Sequence, residues 1–467
     1  MRPLTGNSGR GAGLGIALVC VAQFVVVLDV TIVTTSLPVV RQSLGFSAAG
    51  LTWVITAYTL VFGGFLIPGG RLADLVGARR VFVLGFVLFS VASGACALAG
   101  SPAMLVGARA VQGLGAAMLS PAAFALLAQL TAPGPARRRA VGWWTAAAAT
   151  GGASGWVLGG VLTQYLGWQS VFWVNLPIGL ATAILAVRLP TGQRTRGRRL
   201  DLPGSVGVVV ALALLLLGLT SIGERGPTAV ESWGPLLLAA VAVVLVVRRE
   251  RTTADPLVPG AVVSSRPVLG AILTAFAITA TTTPAMYLST LYVQQVLHYP
   301  PVRASLLFPI VNLGVVGGSL LGPSALRRWG GRRTLVVGFA TIGVGIVPLL
   351  TLGPDRAVPQ LVLAFTLVGA GLGAASVAST QTGTEAAGAD QKGVAAGILS
   401  AAAQVGNAFG LALTPLAIGA DGEIAFGVGF VGTAVLAIVG LFLGLLVPTR
   451  TTPAADRHAL SRSAGSR

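Results

Sequence analysis

Long runs of apolar residues, separated by short stretches holding arginine, proline and glycine, recur along the whole chain. The runs are continuous rather than alternating, and most reach the roughly 20 residues that a helix needs to cross a bilayer. Read between breakers, they give spans at 14–38, 51–70, 81–99, 103–127, 141–163, 168–188, 203–223 and 233–247. The series continues at 268–292, 303–325, 334–353, 358–379, 393–418 and 425–447. The pattern predicts an all-α polytopic membrane protein with fourteen transmembrane helices. Run 233–247 is the short one, because fifteen helical residues cover only about 22 Å.

Composition agrees with a membrane chain. Of 467 residues, 54% are hydrophobic and only 9% charged, against roughly 25% charged in soluble domains, and the mean hydropathy is +0.85. The 64 glycines suit helices that pack closely in a bilayer. A net charge of +18 would point to nucleic acid in a soluble protein. Here the arginines gather instead in alternate inter-span segments, as the positive-inside rule describes. The clusters are Arg2/Arg10, Arg71/Arg79/Arg80, Arg137–Arg139, Arg188–Arg199, Arg248–Arg266, Arg327–Arg333, Lys392 and Arg450–Arg467. With both termini cytoplasmic, twenty-six of the thirty-one basic residues lie inside, and only Arg41, Arg225, Arg303 and Arg356 lie outside. Deleting span 233–247 would invert everything after it, so the bias supports that crossing. Cys20 and Cys96 both sit in apolar runs, which argues against a disulfide framework. The first run shows no small-residue cleavage site of the usual signal-peptide form.

The two ends of the chain resemble each other. Arg79-Arg80 recur as Arg332-Arg333 at an offset of 253, and Gly151…Gly155 recur as Gly406…Gly410 at an offset of 255. Near-equal offsets predict two six-helix halves with two helices inserted between them. The expected organisation is a tail at 1–13, a bundle at 14–188, a loop and the inserted helices at 189–267, a second bundle at 268–447, and a tail at 448–467.

Two charges fall well inside the predicted spans. Asp29 lies about 13 Å below the outer end of span one, and Arg109 about 9 Å into span four. An ionised group there costs about 2.5–3.5 kcal/mol on insertion scales, so it normally faces a cavity or a partner. Burial disfavours a charged Asp29 and a nearby Arg109 favours it. A ligand that moved Arg109 would therefore change proton affinity, which is a means of coupling. A static ion pair is the structural alternative. His298 and His458 fall outside the predicted apolar cores and do not compete as carriers.

Several fragments carry a family resemblance. Leu28-Asp29-Val30-Thr31-Ile32-Val33-Thr34-Thr35-Ser36-Leu37-Pro38 is similar to the L-D-x-T-I-V-N-x-A-L-P signature, with Thr34 for Asn and Ser36 for Ala. Gly70-Arg71-Leu72-Ala73-Asp74-Leu75-Val76-Gly77-Ala78-Arg79-Arg80 resembles motif A, and Leu105–Gly115, centred on Arg109, resembles motif B. Trp168 and Asn175-Leu176-Pro177-Ile178-Gly179 also fit. Taken in this order, they make the chain resemble the fourteen-span drug:proton antiporters of the major facilitator superfamily over nearly its full length.

That resemblance implies the major facilitator fold, proton coupling through Asp29 with Arg109 beside the pathway, and a cytoplasmic gate loop of Gly70, Asp74, Gly77, Arg79 and Arg80. Within the loop, Gly70 and Gly77 permit tight turning, and Asp74 suits an arginine or a helix N-terminus. Motif C of the antiporters reads G-x-x-x-G-P-x-x-G-G; Gly151, Gly155, Gly159 and Gly160 keep its glycines, while Trp156 replaces its proline. The glycines allow close packing, whereas the proline bend is lost. In the second half, Arg327 stands where Asp74 would align.

Transporter sites lie near the midplane between halves. Candidate lining residues are Trp53, Tyr58, Gln112, Trp143, Trp144, Tyr287, Tyr292, Asn312, Gln381, Gln404 and Asn407. Aromatic walls with few polar anchors suit hydrophobic or amphipathic compounds, with cation–π attraction for a cation; bilayer-interface anchoring and ordinary packing are the alternatives. The resemblance thus implies a proton-coupled exporter of small molecules such as antibiotics. A dedicated exporter of one endogenous metabolite and a uniporter are the alternatives. The expected partners are substrate, protons and the lipid bilayer of a bacterial cell membrane, with no nucleic acid, cofactor or metal and a monomeric chain. No inter-span loop carries the clustered acids, histidines or nucleophiles of an enzyme, no P-loop is present, and the twenty residues after Val447 are too few for a receptor's output domain.

Overall fold

A computed structural model describes residues 8–132, 134–189, 202–226, 229–253, 265–387, 391–417 and 424–448. The regular elements are helices. In chain order they are α1 Ser8–Leu44, α2 Trp53–Val76, α3 Ala78–Ala97, α4 Pro102–Leu130, α5 Pro135–Leu166, α6 Ser170–Trp173, α7 Asn175–Ala186, α8 Leu202–Arg225 and α9 Val230–Thr252. They continue as α10 Arg266–Leu291, α11 Pro301–Ser305, α12 Pro309–Leu350, α13 Ala357–Ala386, α14 Lys392–Ala412 and α15 Phe426–Leu446. Among the described residues, eleven helices are long and apolar enough to cross a membrane. The α6–α7 segment, Ser170–Ala186, is apolar but shorter, and α5 is rich in alanine and glycine.

Local chemistry explains the helix ends. Ser101 caps α4 by accepting from the Met104 N–H at 3.3 Å, and Pro102 occupies the first turn, where its missing N–H costs nothing. Gly77 ends α2 with φ 105°, a conformation that L side chains avoid. Gly330 breaks α12 in the same way, with φ 77° and ψ 168°.

Three expectations change. The first helix runs through Pro38 to Leu44, because one lost hydrogen bond does not end a helix that its neighbours support. Span two runs on to Val76, so Gly70 lies within the helix and Gly77 alone makes the turn. The run expected at 303–325 is split: α11 stops at Ser305, and α12 begins at Pro309. Proline disfavours a helical residue before it, which places the break at Phe308.

Two compact units divide the chain, one holding the residues up to Val209 with Tyr299–Pro309, the other Val210–His298 with the residues from Ile310. In the first, α1 packs on α5, α4 lies against both α2 and α3, and α7 lies on α3. Its core is aliphatic and aromatic, with Phe82, Phe86 and Phe89 fully buried. In the second, α10 packs on α13, α14 and α15. Helix α9 buries little of its surface: Leu237 is 67% and Leu245 60% exposed. Outward leucines at that density suit lipid rather than water.

Candidate functional site

Four helices of the first unit place polar side chains on one point in its apolar interior. Asp29 lies on α1. Arg109 and Gln112, three residues apart on one face of α4, reach it; Ser93 and Cys96 do so from α3, and Asn175 from the first position of α7. Asp29, Ser93, Arg109, Gln112, Asn175 and Cys96 are all fully buried.

The carboxylate of Asp29 accepts from every side. Its Oδ2 takes a bond from Arg109 Nη1 at 2.5 Å. Its Oδ1 takes two, from Gln112 Nε2 and Asn175 Nδ2, each at 2.8 Å. The same two amide nitrogens also donate to Ser93 Oγ, each at 3.2 Å. Ser93 in turn donates to the Phe172 carbonyl at 3.0 Å, so that its hydroxyl is saturated and fixed in direction.

Arg109 is held as firmly. Its Nε donates to the Val54 carbonyl at 2.9 Å, and Nη1 donates also to Gln112 Oε1 at 2.7 Å. Cys96 donates to that Gln112 oxygen as well, with Sγ at 3.7 Å. The guanidinium carbon lies 4.3 Å from the ring centroid of Tyr58 on α2 and 5.9 Å from that of Phe172, two cation–π contacts within the desolvated site. A charge pair taken out of water is tolerated only when further hydrogen bonds satisfy both ions, and these bonds do so for Asp29. Three polar atoms of the cluster remain buried without a partner, Arg109 Nη2, Asn175 Oδ1 and the Tyr58 hydroxyl.

Glycines bring the helices close enough. Side chains at Gly151, Gly155 and Gly159 of α5 would collide with the carbonyls of Phe24, Leu28 and Ile32, one turn apart along α1. One at Gly113, beside Gln112, would meet the Tyr58 carbonyl, and one at Gly160 would meet Ser305 and the Pro301 carbonyl. The second unit repeats the device: Gly406 and Gly410 of α14 lie against the carbonyls of Phe276 and Ala280 on α10. Trp156, in the place of the motif proline, stacks on Phe308 with ring centroids 4.2 Å apart and planes 12° apart.

In the gate loop, Arg79 makes the contacts, donating from Nη1 to the carbonyls of Val187 at 3.1 Å and Leu189 at 2.7 Å. Asp74 and Arg80 are exposed.

The expected lining residues scatter. Gln112 and Tyr58 belong to the Asp29 cluster. Trp53 is half-buried, Trp143 is 55% exposed, and Trp144 meets Phe124 edge-on at 5.7 Å. In the second unit, Tyr287 and Tyr292 are buried, and Tyr292 lies edge-on to Phe426 at 5.3 Å. Asn407 donates to Gln404 Oε1 at 3.1 Å and accepts from the Thr283 hydroxyl. Asn312 and Gln381 are half-buried, with Asn312 Nδ2 unpartnered.

Sequence reasoning assigned no role to Ser93 and quoted Asn175 only as part of a fragment. The available signal was a serine and an asparagine inside otherwise apolar runs.

The family model for the Major Facilitator Superfamily matches residues 19–411. The chain is 39% identical to the cephamycin export protein CmcT of Amycolatopsis lactamdurans, over 97% of each chain. It is 38% identical to a puromycin resistance protein of Streptomyces alboniger, over 85% of this chain and 80% of that one. Among solved structures it resembles the POT family transporter PepTSo, with a TM-score of 0.69 at 15% identity over 94% of this chain and 97% of that one. The xylose transporter XylE of E. coli gives a TM-score of 0.62 at 16% identity, over 95% and 98%.

Proposed function

The chain belongs to the Major Facilitator Superfamily, and from that premise we propose that it is a proton-driven exporter of small hydrophobic or amphipathic antibiotics, working by alternating access. The observation that carries the proposal is the Asp29–Arg109 pair, sealed in apolar surroundings and bonded on every carboxylate lone pair in use. A buried acid held by a single cation is a proton site whose affinity changes when the cation moves. A proton from outside adds to Asp29 in the outward state, substrate leaves, and the proton departs in the inward state. The export and resistance names of the two relatives support an antibiotic substrate.

The remainder of the reading follows from this. Fourteen crossings comprise the eleven long apolar helices, α5, the α6–α7 segment, and one more from the division of α12 at Gly330. They form two six-helix bundles, 14–188 and 268–447, with α8 and α9 inserted at 189–267, flanked by tails at 1–13 and 448–467. Both tails are cytoplasmic in a bacterial cell membrane, and the protein works as a monomer. The Gly70–Arg80 segment, with its turn at Gly77, is the cytoplasmic latch, and the aromatic and amide residues named above line the substrate path.

The test is reconstitution in liposomes under a pH gradient, adding a cephamycin or puromycin and following a proton-sensitive dye. Wild type is expected to give substrate-dependent proton flux that Asp29→Asn abolishes. Undiminished flux in Asp29→Asn sinks the assignment. A second reading, an exporter dedicated to one metabolite, is favoured by the end-to-end match with a cephamycin exporter. Transport of one compound among a structurally diverse panel would select it.

A further inference from the structure

The Asp29 cluster is arranged for a carboxylate and against a carboxylic acid. Every neighbour within hydrogen-bond reach of its two oxygens is a donor: Arg109 Nη1, Gln112 Nε2 and Asn175 Nδ2. A proton arriving on Oδ1 meets two N–H groups and no acceptor. It is accommodated only if an amide turns and presents its oxygen.

The two amides differ in freedom to do so. The Gln112 oxygen is engaged, accepting from Arg109 at 2.7 Å and from Cys96 at 3.7 Å. Turning Gln112 would aim its NH2 group at the guanidinium, donor against donor. The Asn175 oxygen is buried and has no partner. Turning Asn175 gives that oxygen its first bond, at the cost of the Nδ2 bond to Ser93 Oγ.

We propose that Asn175 is a positioning residue of the proton site: its amide nitrogen holds the Asp29 carboxylate, and its amide turns to accept from Asp29 when the carboxylate takes up a proton. The proton comes from water and adds to Oδ1, forming one O–H bond and breaking no covalent bond. The new O–H donates to Asn175 Oδ1, while Gln112 keeps its bond to the remaining Oδ1 lone pair. Asn175 is the first residue of α7, just after the junction with α6. The other titratable groups around Asp29 are Arg109 on α4, Tyr58 on α2 and Cys96 on α3. The α5 residues against α1 here are the glycines.

The inference rests on the reading of Asp29 as the proton site, and infrared difference spectroscopy of the full-length purified protein separates the two. The chain holds only four asparagines, Asn7, Asn175, Asn312 and Asn407, so labelling their side-chain nitrogen gives few signals. Acidification of wild type is expected to produce a protonated-carboxyl band that is absent in Asp29→Asn. With it comes a label-sensitive amide change absent in both Asp29→Asn and Asn175→Leu. Asn175→Ser, smaller and still polar, serves as the second variant, with the same loss of the amide signal. A carboxyl band that titrates while the amide change is missing, or survives in Asn175→Leu or Asn175→Ser, overturns the inference and leaves the exporter proposal standing. Absence of any carboxyl band assignable to Asp29 removes both.

Discussion

At the scale of the residue, Arg109 shows why charge alone does not define the site. Its Nε bonds the Val54 carbonyl on α2, while Nη1 bridges Asp29 and Gln112. Lysine supplies the same charge from one point and lacks the planar fork that makes these bonds together. Arg109→Lys is therefore expected to insert normally but to lose at least about tenfold in proton-coupled flux, the loss of roughly one charge-assisted hydrogen bond. Wild-type flux in the liposome assay would refute it. The pair itself was legible in the sequence, because two isolated charges at matching depth in apolar runs have few other partners. Ser93 and Asn175 were not. Neutral polar residues carry a small insertion cost, and only the fold reveals that their amide and hydroxyl meet the same carboxylate.

Between helices, the deciding feature is absence of side chain. Gly151, Gly155 and Gly159 meet α1 at carbonyls one turn apart, and Gly406 and Gly410 meet α10 in the same manner. The near-equal glycine offsets in the sequence thus mark a shared way of packing α1 on α5 and α10 on α14. The turns repeat as well: Gly77 precedes Arg79-Arg80, and Gly330 precedes Arg332-Arg333, both glycines with positive φ. Spacing alone exposed the pairs but not which glycine turns, since Gly70 and Gly77 look alike in a sequence and only one ends a helix. Gly155→Val is expected to destabilise the protein by about 1–3 kcal/mol through overpacking against α1. Gly142→Val on the same helix, where a new Cβ meets nothing within 4 Å, is expected to change nothing comparable. Melting temperatures of the two variants in detergent check the contrast, and equal values would contradict it.

Over the whole molecule, the arginine distribution carries an expected orientation because it is a property of the entire chain, whereas the split at Phe308 was not legible, because a short helix before a proline looks like the start of a span. The placement of α8 and α9 is the part of the architecture that most needs a direct measurement. Both helices are apolar enough to cross, yet α9 buries little of its surface, so little protein contact holds it in place. Its apolar faces and the charge at its ends must do so. Arg225 and Glu231 pair at 2.6 Å, both exposed, where the two helices meet, and Arg249 and Arg251 close the last turn of α9. With cytoplasmic termini, this places Glu231 outside and Arg251 inside. In a chain whose own cysteines are replaced, Glu231→Cys is expected to react with a membrane-impermeant maleimide on intact cells. Arg251→Cys is expected to react only after permeabilisation. Labelling of both on intact cells would mean that α9 lies along the surface, and the arginine clusters after it would then have to be explained without the fourteenth crossing.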